Sequence, residues 1–208
     1  SKIHNIFVAR LGDEILYYSA MVRSFDSSFG NMLEDLAIEI AKISYIVRRK
    51  VEGPLTNDQT SEIAFLLESY KRNAMKPAIS DYQSLRNANL EGIDSTKRHE
   101  SDYYLIDKEN GSHHLIELKI GGDLDNKKAR SEKEALLEQF AILCNTLEDS
   151  ENVHIHFATA YNRFGEDKTW NQGRVLQFFS PDELLIGNNF WNFICKSDTG
   201  YDVVLDQY

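Results

Sequence analysis

Cysteine is scarce in this chain: only Cys144 and Cys195 among 208 residues, far apart and each set among apolar neighbours. That usage excludes a disulfide framework and a cysteine-based metal site, and predicts two reduced core thiols in a cytoplasmic protein. Long apolar runs are missing as well. None approaches the roughly 18 residues that span a bilayer, so no membrane partner is expected, and the opening Ser1-Lys2-Ile3-His4-Asn5 has no apolar signal core. The glycine pair Gly121-Gly122 is followed by Asp123 rather than by Lys and Ser or Thr, so no phosphate-cradling loop and no NTP are implied. His113-His114 and His154/His156 have no further His or Cys in zinc-ligand spacing, and read as satisfied strand histidines. Positive charge is in short supply too: 23 Lys and Arg stand against 33 Asp and Glu, a net charge of −10. This excludes a broad basic surface that grips nucleic acid indiscriminately, but not a local basic groove.

What is present fits one domain over residues 1–208, with a helical part at 1–77 and an α/β core at 100–208. Asn31 to Glu34 has the form of a capping box, and Leu33, Leu36, Ala37, Ile40, Ile43 and Val47 follow helical spacing behind it. Thr56 to Gln59 caps a second helix with Ile63, Leu66, Leu67 and Tyr70 as its buried stripe. Residues 78–98 read as a loop or short irregular helix. Strands are predicted over 102–106 and 113–120, joined by an Asn110-Gly111 turn. Ser131 to Glu134 forms another capping box, opening a helix with Leu136, Phe140, Leu143, Cys144 and Leu147 on one face. Further strands are expected at 153–161 and 174–179, short helices at 181–186 and 189–195, and an edge strand at 203–205.

Into this layout the sequence sets Leu115-Ile116-Glu117-Leu118-Lys119-Ile120, with Asp102 fifteen positions before Glu117 in the preceding strand. Side chains alternate along a strand, so Glu117 and Lys119 share one face while Ile116, Leu118 and Ile120 line the other. Two acids and an amine on adjacent strands are what metal-dependent cleavage of a phosphodiester requires. An acid-x-Lys triplet alone is common, and Asp125-Asn126-Lys127 and Glu166-Asp167-Lys168 match it in polar stretches that a solvated surface explains. Only Glu117-Leu118-Lys119 is embedded in a hydrophobic strand behind a turn and a second acid-bearing strand. The bland alternative is a surface cross-strand ion pair of Glu117.

Residues 100–147, from Glu100-Ser101-Asp102 through the Asn110-Gly111 turn and Glu117-Leu118-Lys119 into the next helix, resemble the PD-(D/E)XK nuclease superfamily, and within it the type II restriction endonucleases. Ser101 stands where the family motif has proline. The resemblance implies a restriction-endonuclease-like α/β fold, a mixed β-sheet of four to five strands flanked by helices, with a helical N-terminal region. It implies that Asp102 and Glu117 ligate Mg²⁺, that Lys119 sits beside the attacking water, and that Glu34 is a further acid at the site, unless Glu34 merely completes its capping box. The activity implied is Mg²⁺-dependent hydrolysis of double-stranded DNA at a short palindrome by a homodimer.

For DNA contacts the candidates are Lys127, Lys128 and Arg130, which follow the acid-bearing strand together with Lys133, and Arg163, Asn171 and Arg174 in the polar stretch after residue 161. Arg and Asn suit bidentate contacts with guanine and adenine edges. An ordinary charged loop or solvated helix end is the competing reading for each, as it is for Arg48-Arg49-Lys50. Gln139 is expected to face solvent, with a contact to the site or to DNA as the alternative reading. The alternatives to a restriction enzyme are a repair endonuclease or junction resolvase on the same core, and a non-catalytic DNA-binding module.

Overall fold

A computed structural model describes residues 13–86, 88–90, 96–121 and 124–206 of the chain. It divides into two compact units, Ser1–Leu36 and Ala37–Tyr208. Among the described residues the first helix is α1 (Asp13–Ser44), which holds residues of both units. The capping box expected at Asn31 is therefore absent: both Asn31 and Glu34 lie inside the helix. In the second unit α1 buries Ala37, Ile38 and Ala41, while Ile43 is 77% exposed.

Among the described residues the sheet has five strands in chain order, β1 (Tyr45–Pro54), β2 (Thr96–Asp107), β3 (His113–Lys119), β4 (Val153–Thr159) and β5 (Leu184–Ile186). The pairs β1–β2 and β2–β3 are antiparallel, whereas β3–β4 and β4–β5 are parallel, so the sheet is mixed. β1 departs from the expected helical reading. Val47 and the Arg48-Arg49-Lys50 cluster are strand residues here, with Tyr45 opposite Asp107 and Arg48 opposite Tyr104. Their exposed charges mark an outer strand with one face in water, the pattern of an antiparallel edge. The hairpin between β2 and β3 is wider than a two-residue turn. Asp107 N–H donates to the Ser112 carbonyl at 2.8 Å, and Gly111, at φ +74°, donates to the Asp107 carbonyl at 3.0 Å. Asp107 Oδ1 also accepts the Glu109 amide at 2.8 Å and the Lys196 ammonium at 2.7 Å. Burial pushes the Asp107 carboxyl up, but Lys196 and the turn amides outweigh it and leave it below its ordinary range.

Helices cover both faces. On one, α2 (Asn57–Lys71) and α3 (Asn126–Thr146) build a core in which Ile63, Leu67, Phe140 and Ile142 meet Leu115 and Phe157 of the sheet. Thr56 and Gln59 form the expected capping box of α2. α3 starts earlier than Ser131 because the Asp125 carboxylate accepts the Lys128 amide at 2.8 Å and caps it. Gly53 of β1 lies close under α3, and a Cβ there would come within 2.8 Å of Ile142 and Thr146. The short α4 (Gly173–Leu176) occupies the place of the strand expected at 174–179, and turns Phe178 and Phe179 into the core. A 3₁₀ turn, Pro181–Glu183, then leads into β5, which replaces the helix expected at 181–186. On the other face lies α5 (Asn188–Cys195), whose Trp191 Nε1 donates to the Ala160 carbonyl at 2.7 Å. It is followed by α6 (Gly200–Asp206), a helix where an edge strand was expected. Among the described residues no helix is long and apolar enough to cross a membrane.

The parallel register sets His114 opposite His154 and Ile116 opposite His156, which gathers three histidines on the face that α5 covers. His114 Nδ1 and His156 Nε2 are 3.2 Å apart, and Phe193 rests against both rings. Burial, with the neighbouring histidines next, pulls His114 down to about 4 and His156 to about 3. An unfolded histidine takes up its proton near pH 6.5. The unfolded chain thus binds more protons than the folded one below that pH, and stability falls as pH drops from about 6.5 toward 4. The Asp107 carboxylate, also below its ordinary range, loses its contribution only at lower pH. The melting temperature should fall between pH 7 and 4.5, and His156→Phe should flatten that fall; an unchanged slope in the variant would remove the cluster as its cause.

Candidate active site

Strand alternation does at residue 117 what the sequence predicts. Glu117 and Lys119 lie on one face of β3 and pair with each other, while Ile116 and Leu118 are buried on the opposite face. A third group joins them from α3: Glu132 Oε1 lies 3.3 Å from the Lys119 ammonium. The three side chains are 13%, 25% and 20% exposed for Glu117, Lys119 and Glu132, so the cluster is partly dry yet open to a substrate. Glu132 was not singled out from the sequence. Its one signal is indirect: it lies one to two turns inside the helix that packs on the face of Glu117.

Asp102 lies in β2 at an irregularity of the sheet. Arg48 opposes Tyr104 and Lys50 opposes Glu100, so Arg49 alone spans the stretch Ser101-Asp102-Tyr103. Such bulges bend a strand and re-aim its side chains, and they are over-represented beside active sites. On the other side Tyr103 pairs with Ile116, the residue before Glu117. The strand backbone thus brings position 102 alongside position 117. The Asp102 side chain itself lies outside the described residues, as do Gly122 and Asp123. Among the described residues no group of three or more His, Cys, Asp or Glu side chains is placed to hold a metal ion. A Cβ at Gly121 would stand 2.9 Å from the Tyr161 hydroxyl, the far end of an exposed side chain with room to shift.

The competing acid-x-Lys matches have structural roles. Asp125 caps α3, and Glu166 accepts the amides of Asn162 at 2.6 Å and Asn188 at 3.1 Å, tying its loop to the start of α5. Of the expected DNA contacts, Lys127 and Lys128 are exposed in the first turn of α3, where the helix dipole also favours an anion. Arg163, Asn171 and Arg174 are exposed as well. Arg130 is half-buried, and its charge acts on Glu68 of α2. Lys133 leaves the basic cluster altogether. It is fully buried and donates to Glu183 Oε1 at 2.5 Å. Gln139 does not face solvent either: it is 3% exposed. Glu34 is half-buried within α1, in the first unit.

The sequence model of the family described as "Type II restriction endonuclease, HinfI" matches residues 1–208, the whole of the chain. Comparison with curated proteins and comparison with solved structures both return no match.

Proposed function

We propose, for a chain that belongs to the HinfI family of type II restriction endonucleases, that Asp102, Glu117 and Lys119 are the groups that cut. The chain is a site-specific deoxyribonuclease acting on double-stranded DNA, and its family generally uses a divalent metal. The observation that carries the assignment is the Glu117–Lys119–Glu132 cluster on one face of β3, beside the strand irregularity that contains Asp102.

The donor set fits Mg²⁺, which takes a few carboxylates together with waters and substrate phosphate oxygens. Glu117 would hold it with Asp102. When bound, such an ion activates water and neutralises charge that builds on the phosphoryl group. Lys119, tethered by acids on either side, presents an ammonium to the reacting phosphate, where it orients the incoming water and balances the same developing charge. Glu132 keeps that ammonium in place when the Glu117 carboxylate is engaged elsewhere. For Glu34 as a further acid the support is the family resemblance alone.

Lys127 and Lys128 supply phosphate contacts from the first turn of α3, and Arg130 adds positive charge behind them. Arg163, Asn171 and Arg174 are proposed as contacts from the loops after β4, by virtue of their exposure and chemistry. A palindromic duplex presents each strand to a two-fold-related copy of the same site, so a homodimer cuts both strands. The unpaired thiols of Cys144 and Cys195 support a cytoplasmic location.

The test is digestion of phage DNA with Mg²⁺, with and without EDTA. Discrete fragments that disappear with EDTA are expected. A smear would indicate a nuclease without sequence preference, and intact DNA with a gel shift would indicate a binding module.

A further inference from the structure

The first unit presents an apolar face that no solvated helix needs. Along α1, Tyr18, Val22, Phe25, Phe29 and Met32 are between 38% and 68% exposed. Their separations alternate four, three, four, three, the repeat of a helix-to-helix seam rather than of a single surface helix packed on a core. Tyr17 and Met21 widen the stripe, at 67% and 51% exposed. At 100° per residue all seven fall within an arc of roughly 140°. The Phe25 and Phe29 rings stack in the middle of the stripe, 6.1 Å apart and within 3° of parallel.

The exposed area of these side chains is on the order of 700 Å², close to the ~800 Å² that each partner buries in a standard protein interface. It exceeds the largest apolar patch of a typical monomer. Charge narrows the occupant further. The rest of this stretch holds Ser19, Arg23, Asp26, Ser27, Glu34 and Asp35. A helix that lies on lipid carries Lys and Arg on its polar face, and a DNA-binding helix does the same. This one is acidic on balance, which leaves a protein partner. A seam of this spacing is complementary to another copy of itself.

We infer that this face of α1 is where two copies of the chain join, the helix of one packing along the helix of the other. The inference rests on the homodimer reading above and names the surface that makes the dimer.

The test is sedimentation velocity on the full chain at micromolar concentration, alone and with duplex DNA. Three variants are compared with the wild type: V22E/F25E on the stripe, the milder V22A/F25A, and S27E on the polar face. A dimeric wild type is expected, with S27E unchanged, V22E/F25E monomeric, and the V22A/F25A dimer weakened by at least about tenfold. The milder pair decides the matter should the charged pair fail to fold. A dimeric wild type whose stripe variants dimerise equally well would overturn this surface and leave the homodimer standing. A wild type that is monomeric alone and on DNA would overturn both. A monomeric wild type that floats with phosphatidylcholine vesicles would assign the face to lipid and overturn the inference.

Discussion

Lys119→Ala should lower the single-turnover rate of DNA cleavage by on the order of 10²–10³-fold, the usual cost of removing one group aimed at developing charge. Binding of uncleaved DNA in Ca²⁺ should change little, because the proposed role places the amine on the reacting phosphate rather than on the rest of the duplex. Structure gives the reason for a large effect at this position. The Lys119 ammonium is fixed between Glu117 on its own strand and Glu132 on α3, three-quarters buried, and in the proposed role it would meet the substrate already oriented. Glu132→Gln should fall between wild type and Lys119→Ala in rate, with KM unchanged, since it loosens the lysine without removing it. Cleavage by Lys119→Ala at the wild-type rate would take the lysine out of the mechanism.

Glu183→Ala should destabilise the fold by about 3–5 kcal/mol, the cost of leaving a buried charge without its partner. Lys133 and Glu183 are 0% and 1% exposed, and the carboxylate also accepts the Tyr82 hydroxyl at 2.8 Å and the Ser180 amide at 2.7 Å. The Lys133 ammonium lies 5.0 Å from the Tyr82 ring centre and 4.9 Å from that of Phe179, aromatic faces that do not replace a carboxylate. Burial pulls the lysine's pKa down and Glu183 opposes it. Urea unfolding measures the loss. The double variant Lys133→Met/Glu183→Leu should recover most of it, because two apolar groups of similar size need no charge partner. A loss below about 1 kcal/mol in Glu183→Ala would show that the pair is not what locks α3 to the turn before β5. α3 carries Lys127, Lys128 and Glu132, and this pair ties the helix to the turn before β5.

The legible parts of the sequence were those whose signal is local. β2, β3, β4 and the helix over Asn57–Lys71 follow from alternation, capping and periodicity within a few residues, and so does the shared face of Glu117 and Lys119. β1 was not legible because Arg48-Arg49-Lys50 breaks the apolar alternation. The strand exists through its pairing with β2, more than forty residues away. The α1 boundary failed for the opposite reason, since Asn31 to Glu34 satisfies a capping pattern that a longer helix overrides. Residues 174–186 misled because apolar side chains such as Val175 and Phe179 signal burial without deciding between strand and turn. The histidine trio and Glu132 depend on register and on helix placement, so neither is visible before the strands are aligned. Lys133 looked basic and solvated because its partner lies fifty residues later. Ser180 to Glu183 does form a capping box in the structure, a local pattern at Glu183 that went unread in the sequence.

The most direct measurement is DNA affinity in EDTA and in Ca²⁺, together with cleavage in Mg²⁺, for the wild type and Glu117→Ala. With the acid in place, Ca²⁺ should tighten binding by about tenfold or more, some 1.4 kcal/mol, because the cation relieves repulsion between carboxylate and phosphate. Without it, the affinities in EDTA and Ca²⁺ should converge and cleavage should vanish. A Glu117→Ala protein that still tightens with Ca²⁺, or still cuts, would contradict the account.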